Sequence, residues 1–253
     1  MSICGRISLN TFADHAPKCD WLVSFFDLKD FFFTEHTLGP VMFVKFKRFL
    51  KDAGLIARNQ LTDFAQLIGY HGWESDTALG LMLVNLAMDN PQIAWYIHNM
   101  DIGFLYTRKE LVEKLVSVDV KPKDAKSIIT AFKRIVQTPF GTVLNFGYVT
   151  ADDELVRSKC SISDIRVILY GLYKYGEKRH FDEFSLLSLY DEDHRQETVS
   201  PVRLFGLEIN ELTSILGELT YSYPEYIRVV LTGSQPVIVL RHENTSQDVL
   251  TLF

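Results

Sequence analysis

The sequence predicts a mainly α protein with small β-hairpins and helix-turn-helix or winged-helix-like modules. Three observations support this prediction. Apolar residues recur at helical spacing along most of the chain, capping residues or prolines stand where those stretches begin, and short strand patterns flank glycine-containing turns. Hydrophobic residues make up 47% and charged residues 23% of the 253 residues, which excludes an intrinsically disordered chain.

The N-terminal part of the sequence predicts an aromatic cluster followed by several helices. The run from Trp21 to Phe33 is expected to be core, or an interface with a partner or a neighbouring domain. Pro40 opens a helix that ends near Ala53, with Gly54 as its stop. The apolar stretch from Ala78 to Met88 has eleven residues, whereas a membrane span needs about 20, so we expect a buried helix and no membrane partner. Further helices are predicted at 62–68, 77–88 and 91–99.

A helix-turn-helix is the strongest local pattern, at about residues 107–136. Thr107 and Glu110 form a capping-box pattern at the start of its first helix. Pro122 stands in the first turn of the second helix, where a missing amide hydrogen costs nothing. Residues 138–149 are predicted to form a strand-turn-strand where a wing would lie.

The remaining elements are predicted from less regular patterns. Residues 151–154 are expected to be a solvated linker, and Ser161 with Asp164 to cap a helix that ends near Gly176. A helix at 181–189, a loop at 191–198, a helix at 208–219 and strands at 226–231 and 236–241 follow. The predicted domains are an N-terminal helical domain (1–104), a winged helix-turn-helix (105–150) and a C-terminal helical domain ending in a hairpin (151–253).

The charged residues are unevenly distributed along the chain. The net charge is −6, yet residues 41–58 and 105–136 each carry +4, which leaves the remainder at −14. Such a distribution argues against indiscriminate coating of nucleic acid and favours selective contact with a polyanion through two basic patches.

Two helix faces supply the candidate DNA-binding residues. The second helix of the helix-turn-helix has a narrow apolar stripe, so its opposite face presents cations and hydroxyls of the kind that contact phosphates and base edges. These residues are Lys123, Lys126, Ser127, Thr130, Lys133 and Arg134. The helix after Pro40 presents Lys45, Lys47, Arg48 and Lys51. The alternative for both faces is an ordinary solvated helix surface.

Catalytic chemistry is not visible in the sequence. It contains no P-loop, dinucleotide-binding, zinc-protease, serine-hydrolase or kinase motif. Acidic clusters that could hold a divalent metal are 152–154, 182–183 and 191–193 with His194. A structural role is the commoner interpretation of these clusters and of His36 and His242. Cys4, Cys19 and Cys160 are expected to be reduced thiols of a cytoplasmic protein.

Four segments in order resemble a bacterial domain-of-unknown-function family. Its members are encoded beside, or fused to, PAPS-reductase-like proteins in DNA phosphorothioation antiphage systems. The segments are Gly54-Leu-Ile with Leu61-Thr-Asp-Phe, Thr77–Asn90 with Pro91-Gln-Ile-Ala-Trp-Tyr, Tyr106-Thr-Arg-Lys-Glu-Leu-Val, and Ser200-Pro-Val-Arg-Leu-Phe. In single-strand phosphorothioation systems a component of this type is described as nicking DNA before sulfur insertion.

The resemblance implies a DNA-binding partner of a sulfur-transfer machine, with DNA and PAPS-reductase-like proteins as partners. Nicking would require a metal such as Mg²⁺. No catalytic motif of the family can be matched to this sequence residue by residue. Glu35-His36-Thr37 contains the residue types of an early His-Glu-Thr-like family signature, but in a different order. Three functions therefore stay open: a metal-dependent nickase, a non-catalytic DNA-reading scaffold or transcription-regulator-like protein that recruits partners, and a protein-interaction domain that uses the aromatic run.

Overall fold

The computed structural model describes residues 8–190, 198–232 and 235–253. Helices dominate, and the strands form small antiparallel sheets, as the sequence predicted. The helices are α1 (Cys19–Leu28), α2 (Phe32–Glu35), α3 (Pro40–Asp52), α4 (Asp63–Tyr70), α5 (Asp76–Asp89), α6 (Pro91–Asn99), α7 (Arg108–Ser117), α8 (Pro122–Ile135), α9 (Pro139–Thr142), α10 (Arg166–Arg179), α11 (Pro201–Phe205), α12 (Ile209–Ser222) and α13 (Ser246–Leu250). The strands are β1 (Ile56–Ala57), β2 (Gln60–Leu61), β3 (Leu105–Tyr106), β4 (Gly147–Val149), β5 (Leu155–Arg157), β6 (Glu183–Ser185), β7 (Ile227–Thr232) and β8 (Gln235–Leu240).

Helix α5 lies at the centre of the core. Every residue from Ala78 to Met88 is buried, as expected for a helix that is apolar on all sides. Its one polar side chain in that stretch, Asn85, donates to the Ala53 carbonyl oxygen at 3.1 Å and accepts from the Tyr170 hydroxyl at 2.7 Å. Asn85 therefore connects α5 to the end of α3 and to α10 through satisfied hydrogen bonds.

The aromatic run is core in part. Trp21, Phe25 and Phe32 are buried, and their rings contact the buried Phe46 of α3 in edge-on or near edge-on geometry. Phe31 lies on the other side of this segment and is 67% exposed. Aromatic edges packed against aromatic faces explain how this small cluster fixes α1 on α3.

A similar order of elements occurs twice between residues 91 and 240. The first unit, residues 91–157, runs α6, β3, α7, α8, the short helix α9, β4 and β5, and its sheet has the strand order β3-β5-β4. The second unit, residues 166–240, runs α10, β6, α11, α12, β7, β8, with the strand order β6-β8-β7. In each unit a pair of helices therefore follows the edge strand and precedes a hairpin whose last strand is central.

The strand-turn-strand prediction at 138–149 is wrong. Pro139–Thr142 forms the short helix α9, and only Gly147–Val149 is a strand, which pairs with β5 in the register Tyr148 to Val156. Residues 151–154 are the turn of that hairpin and not a linker.

The helix prediction at 181–189 is also wrong. Glu183–Ser185 is the strand β6, paired with β8, and a 3₁₀ turn at Leu187–Tyr190 follows it. The partner strand lies about fifty residues later in the chain, so pairing over a long sequence separation overrides the local helical pattern.

The helix predicted to be capped by Ser161 and Asp164 begins later and ends later than expected. Helix α10 covers Arg166–Arg179, and the Asp164 carboxylate accepts from the Arg166 amide at 2.9 Å. His180 ends it in the left-handed conformation. The predicted cap by Ser161 with Asp164 is therefore wrong, because the N-cap residue is Ile165 and it has no side-chain cap hydrogen bond. The stop near Gly176 is also wrong, since the helix continues to Arg179.

The predicted domain boundaries stay a prediction. Strands β4 and β5 pair across residue 150, and a buried arginine connects the two units further along β5. The guanidinium of Arg157 donates to the carbonyl oxygens of Ile97 at 2.7 Å and Met100 at 2.9 Å, and also to that of Arg203. Arg157 thereby caps the C-terminal end of α6 and fastens it to α11.

Candidate nucleic-acid interface

The pair α7 and α8 is fixed by local signals that the sequence displays. The Thr107 hydroxyl accepts from the Glu110 amide, and the Glu110 carboxylate accepts from the Thr107 amide at 2.8 Å, so the predicted capping box is confirmed. The pKa of Glu110 is lowered by these hydrogen bonds from Thr107. Pro122 is the first residue of α8, as predicted.

One side of α8 is buried along its whole length. The buried residues are Ala125, Ile128, Ile129, Ala131, Phe132 and Ile135. The Phe132 ring stacks on Trp95 of α6 with ring centroids 6.0 Å apart and contacts Tyr96 at 5.0 Å. Because this ridge locks α8 onto α6 and α7, its opposite side has a fixed orientation towards the surface.

The N-terminal half of that opposite side is open. Lys123 and Lys126 are exposed, and Ser127 and Thr130 are half-buried. The Thr130 hydroxyl donates to the Lys126 carbonyl oxygen at 3.0 Å, a bond within the helix that leaves its oxygen able to accept. We call Lys123, Lys126, Ser127, Thr130 and Arg134 the α8 face.

The C-terminal half of the helix is partly occupied by the chain itself. Lys133 is only 14% exposed, and its ammonium lies 2.6 Å from the carboxylate of Asp153 in the β4–β5 turn. Lys133 also donates to the Asp153 carbonyl oxygen. The hydrogen bond from Lys133 and its positive charge lower the pKa of Asp153. Lys133 therefore fastens the hairpin to α8, while Arg134 beside it is half-buried.

The hairpin turn is acidic. Asp152 and Asp153 are exposed and Glu154 is half-buried, which gives this turn three carboxylates. The carboxylate of Asp153 forms an ion pair with Lys133. Phosphate groups are repelled by such a turn, so a contact with nucleic acid would come from the α8 face and not from the tip of the hairpin.

The other predicted basic face, on α3, is largely engaged with the chain's own groups. Lys45 donates to the Thr11 carbonyl oxygen at 3.2 Å, and Arg48 contacts the Asp52 carboxylate at 2.7 Å through Nε. Lys47 lies over the ring of Phe43, 5.4 Å from its centroid, and Lys51 is exposed. Arg48 and Lys51 keep exposed surface, but the face as a whole presents less free positive charge than its sequence indicates.

The buried Asp52 beneath Arg48 is anchored on both sides. It also accepts from the Asn90 amide group at 2.7 Å, and Asn90 in turn caps α6. Burial raises the pKa of Asp52, and the hydrogen bonds from Arg48 and Asn90 offset part of that effect. The sequence analysis missed this pairing, although the four-residue spacing of Arg48 and Asp52 on one helix is a signal that could have indicated it.

The N-terminal segment Ser8–Thr11 lies between the two predicted faces. The Asn10 amide group donates to the Asp124 carboxylate of α8 at 3.0 Å, and the Thr11 carbonyl oxygen is the partner of Lys45 on α3. One short segment thus connects the two basic helices, which the sequence did not predict.

The acidic and histidine candidates have ordinary surroundings where the structure describes them. Asp182 and Glu183 are exposed, and the cluster 191–193 with His194 lies outside the described residues, as does Cys4. His36 stacks on Phe43 with ring centroids 3.8 Å apart, and His242 lies 3.2 Å from Glu243 at the surface. Among residues 8–190, 198–232 and 235–253, no three His, Cys, Asp or Glu side chains group together as metal ligands.

The described cysteines differ in environment. Cys160 is buried, and burial raises the pKa of its thiol to about 12. Cys19 is exposed, and its pKa is raised by partial burial and by the negative charges of Glu74 and Asp20. Neither environment favours a reactive thiolate.

Within the described part of the chain, no helix combines the length and the apolar character needed to cross a membrane.

Two solved structures share the fold of this chain. They are named "SspB crystal structure" and "Magnesium ion-bound SspB crystal structure". Each is 16% identical in sequence, has a TM-score of 0.69, and aligns over 97% of this chain and 87% of its own. No family model and no curated protein matches the sequence. At this identity the likeness describes the fold.

Proposed function

We propose that the chain is a DNA-binding component of a phosphorothioation-linked antiphage system and that the α8 face is its DNA contact. The observation that carries the proposal is the division of α8 into a continuous buried ridge and an open side with Lys123 and Lys126 exposed. A recognition helix needs this division, because its back must be held by the protein while its front enters the major groove.

We further propose that the first unit is a winged helix. Its order of elements and its strand order β3-β5-β4 support this assignment, since α8 is the second helix of a pair and the β4–β5 hairpin follows it after the short helix α9. The acidic β4–β5 turn favours a mode in which the helix contacts the DNA and the hairpin supports the helix through Lys133 and Asp153.

The phosphorothioation context has two supports. The four sequence segments resemble a family found beside PAPS-reductase-like proteins, and the fold is shared with the solved SspB structures. The proposed partners are therefore DNA and the PAPS-reductase-like proteins of a sulfur-transfer machine.

Duplex binding tests the proposal. The wild-type protein is titrated against a fluorescently labelled 20-base-pair duplex in an anisotropy assay, beside the double variant Lys123→Gln with Lys126→Gln. Loss of two phosphate contacts is expected to weaken binding about tenfold, at roughly 0.7 kcal/mol for each contact. The second unit offers a matched control, Asn210→Glu with Thr213→Glu, which changes the charge by the same amount at the same two positions of α12.

The control variant is expected to change the affinity by less than about twofold, which corresponds to about 0.4 kcal/mol. Equal effects of the two double variants would mean that only net charge matters and would contradict the assignment to α8. Absence of duplex binding by the wild-type protein would overturn the DNA-binding proposal as a whole and favour the protein-interaction domain.

DNA nicking is the finer part of the proposal. One of the two solved SspB structures has a magnesium ion bound, so supercoiled plasmid is incubated with the pure chain with and without Mg²⁺. Relaxed circles that form only with Mg²⁺ support a metal-dependent nickase. Duplex binding without relaxation under any metal condition supports the non-catalytic scaffold instead.

A further inference from the structure

A cleft of about 810 Å³ lies between α3, the end of α5, one side of α6, α10 and the segment Ser8–Thr11. Its size is in the range of small-molecule sites, which bury most of a ligand of nucleotide size. Three cations line it, Lys45, Arg48 and Lys178, against one carboxylate, Asp89. The cleft is distinct from the α8 face.

The three cations keep capacity for an anion. Among residues 8–190, 198–232 and 235–253, Lys45 makes one hydrogen bond, to the Thr11 carbonyl oxygen at 3.2 Å, and an ammonium has three donors. Arg48 uses Nε for Asp52 at 2.7 Å. Its terminal amino groups have no hydrogen-bond partner within the described part of the chain. Lys178 lies 2.9 Å from Asp89, with about half of each side chain exposed. Phosphate oxygens are the natural partners of such a set.

A second observation points to a ligand with a polar organic part. Trp95 lines the cleft and is only 8% exposed, yet its indole N–H has no hydrogen-bond partner among the described residues. Asn10 also lines the cleft, and its side-chain carbonyl oxygen is buried with no donor among the residues that the structure describes, while its amide group donates to Asp124. A buried donor and a buried acceptor left unpaired each destabilise the protein, and a ligand that offers both kinds of group relieves this cost.

We propose that this cleft binds a nucleotide, with the phosphate on Lys45, Arg48 and Lys178 and the heterocycle on the side of Trp95 and Asn10. A nucleotide supplies both chemistries, because its phosphate is anionic and its base presents donors and acceptors. It can come from two sources, a free nucleotide or one nucleotide of a single DNA strand. The proposal stands whether or not the α8 face binds duplex DNA.

Isothermal titration of the full chain tests the proposal and separates the sources. The titrants are AMP, ATP, inorganic phosphate and a single-stranded oligodeoxythymidine of eight nucleotides. The cleft variant is Lys45→Gln with Lys178→Gln. Its matched control is Lys47→Gln with Lys174→Gln, which removes the same charge from the same two helices at residues outside the cleft lining. Circular dichroism melts confirm that both variants remain folded.

The expected result is wild-type binding of AMP or ATP, of the oligonucleotide, or of both, weakened at least tenfold in the cleft variant and less than twofold in the control. Binding of the mononucleotides identifies the free source, and binding of the oligonucleotide alone identifies the strand. The oligonucleotide affinity is also measured for the double variant Lys123→Gln with Lys126→Gln. If this variant loses affinity and the cleft variant does not, the oligonucleotide binds at α8 and the proposal is overturned.

Two other results would also contradict it. One is binding of inorganic phosphate as tightly as of AMP, because the base would then contribute nothing. The other is the absence of heat for every titrant with the wild-type protein.

Discussion

Helices α8 and α12 occupy the same place in the two units, and their outward surfaces differ in charge. Both have 14 residues, and both bury their fourth, eighth and eleventh positions: Ala125, Ile129 and Phe132 in α8, and Leu212, Leu216 and Leu219 in α12. At the exposed second and fifth positions α8 has Lys123 and Lys126, whereas α12 has Asn210 and Thr213.

Topology and surface chemistry therefore vary independently in this molecule. Helix α12 has no lysine or arginine in its sequence and carries Glu211 and Glu218 instead. The buried positions maintain the packing of both units, and the exposed positions decide what each can contact. A function assigned from the repeated order of elements alone would treat both helices alike, which the side chains do not support.

The junction between the units is expected to respond most strongly to mutation. Arg157→Met removes the donor shared by the carbonyl oxygens of Ile97, Met100 and Arg203 and leaves them buried without it. We expect the free energy of unfolding to fall by about 2–4 kcal/mol. Urea denaturation followed by circular dichroism measures it. A loss below about 0.5 kcal/mol, the size of a typical surface change, would mean that the units do not depend on this residue.

Added positive charge on α12 is expected to give the second unit the DNA contact that we propose for the first. Asn210→Lys with Thr213→Lys installs there the two lysines that α8 has at the same positions. Added phosphate contacts are expected to tighten duplex binding about threefold to tenfold at low salt. Anisotropy titrations read the change. If affinity stays unaltered, the second unit cannot approach the duplex, and the two units differ in accessibility as well as charge.

A weaker response is expected from two ion pairs, one made by α8 and one made by α12. Asp153 pairs with Lys133 of α8, and Glu211 of α12 pairs with Lys159. The hydrogen bond from the partner lysine lowers the pKa of each carboxyl group. Each pair therefore stabilises the fold above the carboxyl group's ordinary pKa, and the contribution is lost as the pH falls through the lowered value.

Side-chain NMR titrations check this. Lys133→Met is expected to return the pKa of Asp153 towards 3.8 and to leave the pKa of Glu211 unchanged. Lys159→Met is expected to return the pKa of Glu211 towards 4.5 and to leave the pKa of Asp153 unchanged. A titration midpoint that does not move when its lysine is removed would show that the pair does not persist in solution.

The sequence predicted those parts of the fold that local chemistry determines. The capping box at Thr107, the first turn at Pro122 and the stop at Gly54 depend on residues a few positions apart. Gly54 has a φ of +80°, and a Cβ there would lie 2.6 Å from the Asn85 amide nitrogen, so only glycine suits this end of α3.

The errors arose where distant residues decide the outcome. Residues 181–189 have a helical pattern, but pairing with β8 makes Glu183–Ser185 a strand. The hairpin was expected at residues 138–149, but the partner strand of β4 is β5, which follows the acidic residues 151–154 that resembled a linker.

The candidate site shows the same limit. A helical wheel identified which cations share a face of α3 or α8, and Lys123 and Lys126 are exposed as expected. It could not identify which cations the chain itself engages. The partners Thr11 of Lys45 and Asp153 of Lys133 lie 34 and 20 residues away in sequence. The cleft beside Trp95 likewise combines four separate segments.

The role of the α8 face can be measured through the salt dependence of duplex binding. The dissociation constant is determined from low to physiological salt for the wild-type protein and for Lys123→Gln with Lys126→Gln. Because each phosphate contact contributes about 0.9 to the slope of log affinity against log salt, the variant's slope is predicted to be shallower by about two. An unchanged slope would show that neither lysine contacts a phosphate and would contradict the assignment of DNA binding to α8.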